Sequence, residues 1–182
     1  RDPAVDDPVE SDLYRIGTLT HIHKMFKFPD GSLRLVVQGV ERFRLKEVRQ
    51  YRPFIKATIE LVQESVPPEQ EVEVRAMAQS AQGLFQRVVE LSPTLSDELQ
   101  TLAANIQDPA RLADFVAASL PSLNTPQKQE MLDTLDVRAR LEKLNKILVK
   151  DLEVLEVGNK IQSQVKTELQ KNQREYYLRE QM

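Results

Sequence analysis

The sequence contains no cysteine and no tryptophan, and aromatic residues make up only 5% of it. Without cysteine there is no disulfide framework, no thiolate metal ligand and no thiol nucleophile, a composition that fits a reducing compartment. Without tryptophan, any core is mainly aliphatic. No apolar run approaches the roughly 20 residues needed to cross a bilayer. The opening RDPAVDDPVE lacks the apolar stretch of a signal peptide and does not start with methionine, so a beginning inside a longer protein is expected. No GxxxxGKS or GxxxxGKT is present, and no GxGxxG follows a strand, so no phosphate-cradling loop is identifiable. His21 and His23 are the only histidines, which leaves the serines without an evident general base. The two share a strand face at i, i+2 and could pinch a metal. Zinc sites want three or four ligands, and no cysteine or HExxH completes the set, so two polar positions on a half-solvated face is the simpler account. Glu69, Glu71 and Glu73 read as a solvated first helical turn favoured by the helix dipole rather than as a metal cluster.

What is present is globular: 41% hydrophobic and 29% charged over 182 residues. The net charge of −3 hides segregation. Residues 13–56 carry ten basic and three acidic side chains, net +7, whereas residues 57–136 carry four basic and thirteen acidic, net −9. Residues 1–12 are net −4 and residues 137–182 net +3. Opposite blocks in one chain point to lobes with different surfaces.

The first third alternates with period two. Leu13–Lys27, Leu33–Gln38, Glu41–Val48 and Phe54–Gln63 read as four strands of an antiparallel meander with one buried face. Phe28-Pro29-Asp30-Gly31 is the turn between the first two: proline presets φ, and glycine accepts the positive φ the turn needs. Four strands are too few to close a barrel, so strands upstream of Arg1 are expected. After Val66-Pro67-Pro68 the period changes to about 3.6. Helices are expected over Glu69–Leu91, near Ser96–Asn105, from Asp108-Pro109 to before Pro121, and from Thr125-Pro126 to about Asp133. Asp136–Met182 holds no proline and one glycine, Gly158, and reads as one helix of up to about 45 residues. Its apolar spacing is uneven, so its first half is expected to pack on the helical lobe and Lys160–Met182 to project. The fold class is α+β: an incomplete β-lobe over 1–64, a helical lobe over 69–135 and a long helix over 136–182.

Two surfaces stand out in the β-lobe. Met25, Phe26 and Phe28 crowd the hairpin tip, where exposed apolar groups mark a binding surface and where one or more of them would otherwise tuck into a core. Lys24, Lys27, Arg34, Arg42, Arg44 and Lys46, with Arg49 and Arg52 and interleaved aromatics, form a cationic set suited to DNA or another polyanion. The competing reading is that Phe43 shares the inward face with Leu45 and that the basic residues face acidic neighbours.

Three segments together resemble Lon proteases: Asp12-Leu13-Tyr14-Arg15-Ile16-Gly17-Thr18 with Phe28-Pro29-Asp30-Gly31; Asp108-Pro109-Ala110-Arg111-Leu112-Ala113-Asp114; and Asn172-Gln173-Arg174-Glu175-Tyr176-Tyr177-Leu178-Arg179-Glu180-Gln181-Met182. The last resembles the family's linker helix before its AAA+ module. The resemblance implies a PUA-like β-lobe, a helical bundle and a long helix forming a non-catalytic N-terminal region. That region would recognise unfolded or damaged and regulatory proteins for an ATP-dependent serine protease. It further implies a homohexamer, ATP and Mg²⁺ bound by downstream modules together with the Ser–Lys dyad, a bacterial cytoplasmic setting, no membrane, and no cofactor, catalytic residue or metal in this region itself. On this view Met25, Phe26 and Phe28 contact substrate, with Tyr176 and Tyr177 near the motor entrance.

Overall fold

The computed structural model describes residues 5–180, with side chains to 173. It is α+β, as expected, with a three-stranded antiparallel sheet in the order β1 (Ile16–Lys27), β2 (Leu33–Gln50), β3 (Lys56–Val62). Five helices follow: α1 (Glu71–Leu91), α2 (Glu98–Asn105), α3 (Pro109–Ser119), α4 (Thr125–Asp133) and α5 (Val137–Glu180). The chain divides into two compact units. One comprises residues 1–65 and 125–135, the other residues 66–124 and 136–182.

In the β unit the expected turn forms at Phe28–Gly31. The Gly31 amide donates to the Phe28 carbonyl at 2.9 Å, and Gly31 takes φ +82°. The four expected strands are three, because the second and third runs are one 18-residue strand. The chain does not turn at Gly39-Val40. Gly39 pairs with Thr20 and Glu41 with Leu19, so Val40 is an extra residue absorbed as a β-bulge. Nor is a whole sheet face buried. Ile16, Arg42 and Leu45 are buried at one end, while apolar residues of the β1–β2 hairpin remain exposed. Burial is confined to that end because α4 belongs to this unit. Gln129 donates to the Ile16 carbonyl at 2.9 Å, Arg42 Nε donates to the Leu132 carbonyl at 3.1 Å, and Met131 is buried. The stretch 125–135 therefore groups with the strands, not with the helical lobe of 69–135 anticipated above.

In the helical unit, Val74, Ala78, Ala81, Phe85 and Val88 form the buried stripe of α1, stepping by three or four residues. Phe85 meets Phe115 of α3 edge to face, with ring centroids 6.4 Å apart. Asp108 caps α3 by accepting from the Ala110 amide at 2.9 Å, with Pro109 in the first turn. Asp136 caps α5 through the Ala139 amide. Helix α5 has 44 residues, about 66 Å at 1.5 Å per residue, and continues unbroken through Gly158. It buries Leu141, Leu144, Leu148 and Leu152. It runs parallel to α1, as successive links show: Arg138 to Glu73 in a two-pronged ion pair, Asn145 to the Met77 carbonyl, Arg87 to Glu156, and Asn159 to the Leu91 carbonyl. Beyond that last link, residues 160–173 are exposed throughout.

Two glycines should respond oppositely to substitution. A Cβ on Gly17 would come 2.5 Å from the Phe43 ring, whereas one on Gly83 meets nothing within 4 Å. Gly17→Ala should cost roughly 1–2 kcal/mol through displacement of that ring. Gly83→Ala, in an exposed helix interior, should stabilise by about 0.5–1 kcal/mol. Urea unfolding monitored by circular dichroism measures both.

Candidate interaction surface

One residue sets which side chains of β1 share a face with those of β2 in the hairpin. Lys24 pairs with Val36 and Ile22 with Val37, which leaves His23 as an extra residue on β1. Side chains on a strand alternate between faces and cross-strand partners share one. On β2, Leu33, Leu35 and Val37 therefore lie together, with Met25 opposite Leu35 and Ile22 opposite Val37. In an unbulged strand Ile22 and Met25, three residues apart, would point to opposite faces. The bulge at His23 brings them to the same one.

The result is a contiguous apolar face of Ile22, Met25, Leu33, Leu35 and Val37, with Lys27 at its tip. Met25 is 65% exposed, Leu33 57% and Ile22 56%. The opposite face is mixed. It carries Phe26 across from Arg34 and Lys24 across from Val36. The Arg34 guanidinium lies 4.4 Å from the centre of the Phe28 ring. The rings of His21 and His23 stand edge to face 4.6 Å apart, and His23 Nε2 is 2.9 Å from Gln38 Oε1. No group of three or more His, Cys, Asp or Glu side chains able to hold a metal occurs among the described residues.

Met25, Phe26 and Phe28 thus do not make one patch: Met25 belongs to the apolar face, whereas Phe26 shares the other face with Arg34, the partner of Phe28. In the sequence, Ile22, Leu33, Leu35 and Val37 alternate as core positions do. Tyr176 and Tyr177 lie in the part of α5 whose side chains are outside the described residues.

The six cations singled out above also separate. Arg42 is buried and bonded to Glu64 and the Leu132 carbonyl, so it is a structural group. Lys46 pairs with Glu60 at 2.6 Å. The Lys46 hydrogen bond, and then its charge, hold the Glu60 carboxyl below its usual pKa. Arg34 is engaged with Phe28. Lys24 and Lys27 are exposed and make no ion pair or side-chain hydrogen bond among the described residues. The one acidic residue at the tip, Asp30, accepts from the Ser32 hydroxyl and amide at 2.7 and 2.9 Å, which lowers its pKa and keeps it ionised.

With this geometry in view, comparison with known proteins is decisive. A family described as the ATP-dependent protease La (LON) substrate-binding domain matches residues 1–150. The chain belongs to that family. Two curated relatives bear the same name. The Lon protease of Koribacter versatilis is 51% identical over 182 residues, covering 100% of this chain and 22% of that protein. The Lon protease of Dictyoglomus thermophilum is 46% identical over 178 residues, covering 98% of this chain and 22% of that protein. The chain therefore spans about a fifth of the length of the Lon proteases it matches. The N-terminal domain of the Mycobacterium avium complex Lon protease has the same fold, with a TM-score of 0.63 at 21% identity, covering 78% of this chain and 74% of that one. Among the described residues no helix is long and apolar enough to cross a membrane.

If Arg42 is structural, Arg42→Ala should destabilise the β unit by roughly 2–3 kcal/mol, because it strands Glu64 and the Leu132 carbonyl. Lys24→Ala and Lys27→Ala should stay within about 0.5 kcal/mol of the parent. Denaturant midpoints of the three variants check the contrast.

Proposed function

We propose that this chain is the substrate-recognition and assembly region of a bacterial, cytoplasmic, ATP-dependent serine protease that degrades misfolded and regulatory proteins. ATP, Mg²⁺ and the peptide-bond chemistry belong to modules outside the chain. The observation that carries this reading is the match of residues 1–150 to the LON substrate-binding family, and the apolar hairpin face of Ile22, Met25, Leu33, Leu35 and Val37 is the surface proposed to serve it. Family membership supplies the role, and the face supplies a surface fitted to it. An unfolded polypeptide differs from its folded form chiefly in exposing apolar side chains, and an exposed apolar patch recognises that difference without reading sequence. Methionine adapts its shape to varied partners.

Binding at one such face is weak and reversible. Arrangement as a homohexamer would place six copies along one extended substrate and raise its effective concentration. The exposed stripe Val154, Val157, Ile161, Val165 and Leu169 on α5 supports the assembly role, since it is apolar surface without a covering element among the described residues. The same helix is suited to lead toward a motor module, because its 44 residues form a continuous rod.

Two substitution sets test the reading. Ile22→Ser/Met25→Ser/Leu35→Ser strips the apolar face. It should weaken binding of a fluorescently labelled unfolded protein by about tenfold or more, as expected for losing some 1–2 kcal/mol of apolar burial, with an unchanged melting temperature. Phe26→Ser/Phe28→Ser alters the opposite face and should weaken binding less. Unchanged affinity in a folded triple variant would remove the proposal. A polyanion site on Lys24, Lys27, Arg34 and Arg44 is the competing reading, and it predicts loss of duplex DNA binding with salt instead.

A further inference from the structure

Helix α5 buries two polar side chains among its leucines. Arg140 is wholly enclosed, and its Nη1 lies 3.4 Å from Oδ1 of Asp114 on α3. Asn145 donates from Nδ2 to the Met77 carbonyl of α1 at 3.1 Å and to the Leu141 carbonyl of its own helix at 2.9 Å. Its Oδ1 is buried without a hydrogen-bond partner among the described residues. An enclosed charge and an unmatched buried acceptor both cost folding free energy, so apolar side chains of similar size would hold the seam at least as well. The leucines, by contrast, do not define one alignment of α5 on α1. They recur at 141, 144, 148, 152 and 155, in steps of three, four, four and three. Moved one turn, about 5.4 Å, toward its own start, α5 would set Leu144, Leu148, Leu152 and Leu155 where Leu141, Leu144, Leu148 and Leu152 now lie. The buried stripe of α1, from Val74 to Val88, itself repeats in steps of four and three and would receive them again. The ion pairs Arg138–Glu73 and Arg87–Glu156 favour the observed alignment weakly, because exposed pairs are screened by solvent and salt.

We infer that Arg140 and Asn145 are positioning residues that lock the register of α5 against α1 and α3, a task the leucine ladder leaves undone. In the slipped alignment Arg140 would be carried about one helical pitch from Asp114, and Asn145 as far from the Met77 carbonyl. Two polar groups would then be stranded in an apolar seam. A slip thus changes apolar contact little and polar contact greatly. A single buried asparagine fixes register in coiled coils by the same asymmetry, at a cost in stability. The two ties run to different helices, Arg140 to α3 and Asn145 to α1, so together they oppose rotation of α5 about its axis as well as movement along it. The consequence reaches down the rod. Residues 160–173 are exposed throughout, so among the described residues it is the register within the seam that sets how far they extend. The lock lies wholly inside the helical unit and does not depend on the substrate-binding reading, whose failure would leave it standing.

The test exploits the absence of cysteine from this chain. In the full-length protein that carries it, with any cysteine outside it replaced, spin labels are attached at Ser80→Cys on α1 and Gln164→Cys on α5, both exposed positions. Labelled copies are diluted among unlabelled ones, so that double electron–electron resonance reads the distance between the two helices of one chain. The parent should give one narrow distance. Arg140→Met/Asn145→Leu should add a second, displaced by about 5 Å, one helical turn, while the melting temperature stays level or rises. A role in stability alone would lower the melting temperature and leave a single distance. One unchanged distance in the folded double variant would overturn the inference, and so would two distances in the parent. Should the double variant not fold, Asp114→Asn/Asn145→Leu, which keeps the Arg140 side chain and weakens its tie, is read by the same two outcomes.

Discussion

The pleat of a β-strand allows one side chain per face at every second residue, and two extra residues in the β1–β2 ladder reset that count. His23 on β1 and Val40 on β2 are each unmatched across the ladder. The first moves Ile22 to the face of Met25 and Leu35. The second is taken up within β2, which continues unbroken from Leu33 to Gln50. Without His23 as a bulge, Ile22 would lie on the face opposite Met25, and Leu33, Leu35 and Val37 of β2 would keep only Met25 beside them. Bulges also twist a strand locally, which fits a hairpin that stands free of the buried end held by α4.

That buried end is secured by polar bonds rather than by a large apolar core. Arg42 is a charged group in a low-exposure site, and such a group is tolerable only when its donors are matched. Glu64 and the Leu132 carbonyl match them, and Gln129 satisfies the Ile16 carbonyl. The same bonds explain why α4 returns to the strands after three helices of the other unit. A guanidinium that looked available for phosphate is thereby removed from the surface.

The helical unit is organised by the parallel seam between α1 and α5. Leucines at 141, 144, 148 and 152 fill it. Charged links at Glu73–Arg138 and Arg87–Glu156 flank it, and being exposed they fix register more than they add stability. The seam ends where α1 ends, at Leu91. Ile161, Val165 and Leu169 of α5, which resemble a continued core stripe in the sequence, are exposed for that reason.

The sequence by itself determined the class, the turn at Phe28–Gly31, the helix starts at Asp108-Pro109 and Asp136, and the switch of period after Val66-Pro67-Pro68. Each is local: a capping carboxylate, a fixed proline φ or a repeat acts within a few residues, so it is legible in a single chain. The family was legible too, in three segments set in order. Only the tertiary structure decided which side of a strand each residue faces, which cations are consumed, and which unit α4 joins. Bulges leave little local trace, so Met25 and Phe26 looked like neighbours on one patch and lie on opposite faces. Arg42 and Lys24 are equivalent letters in a basic block; Glu64, 22 residues away, and Leu132, 90 residues away, separate a buried tie from a free surface charge. Burial and pairing are relations between distant positions, and a pattern read along the chain carries no distance between them.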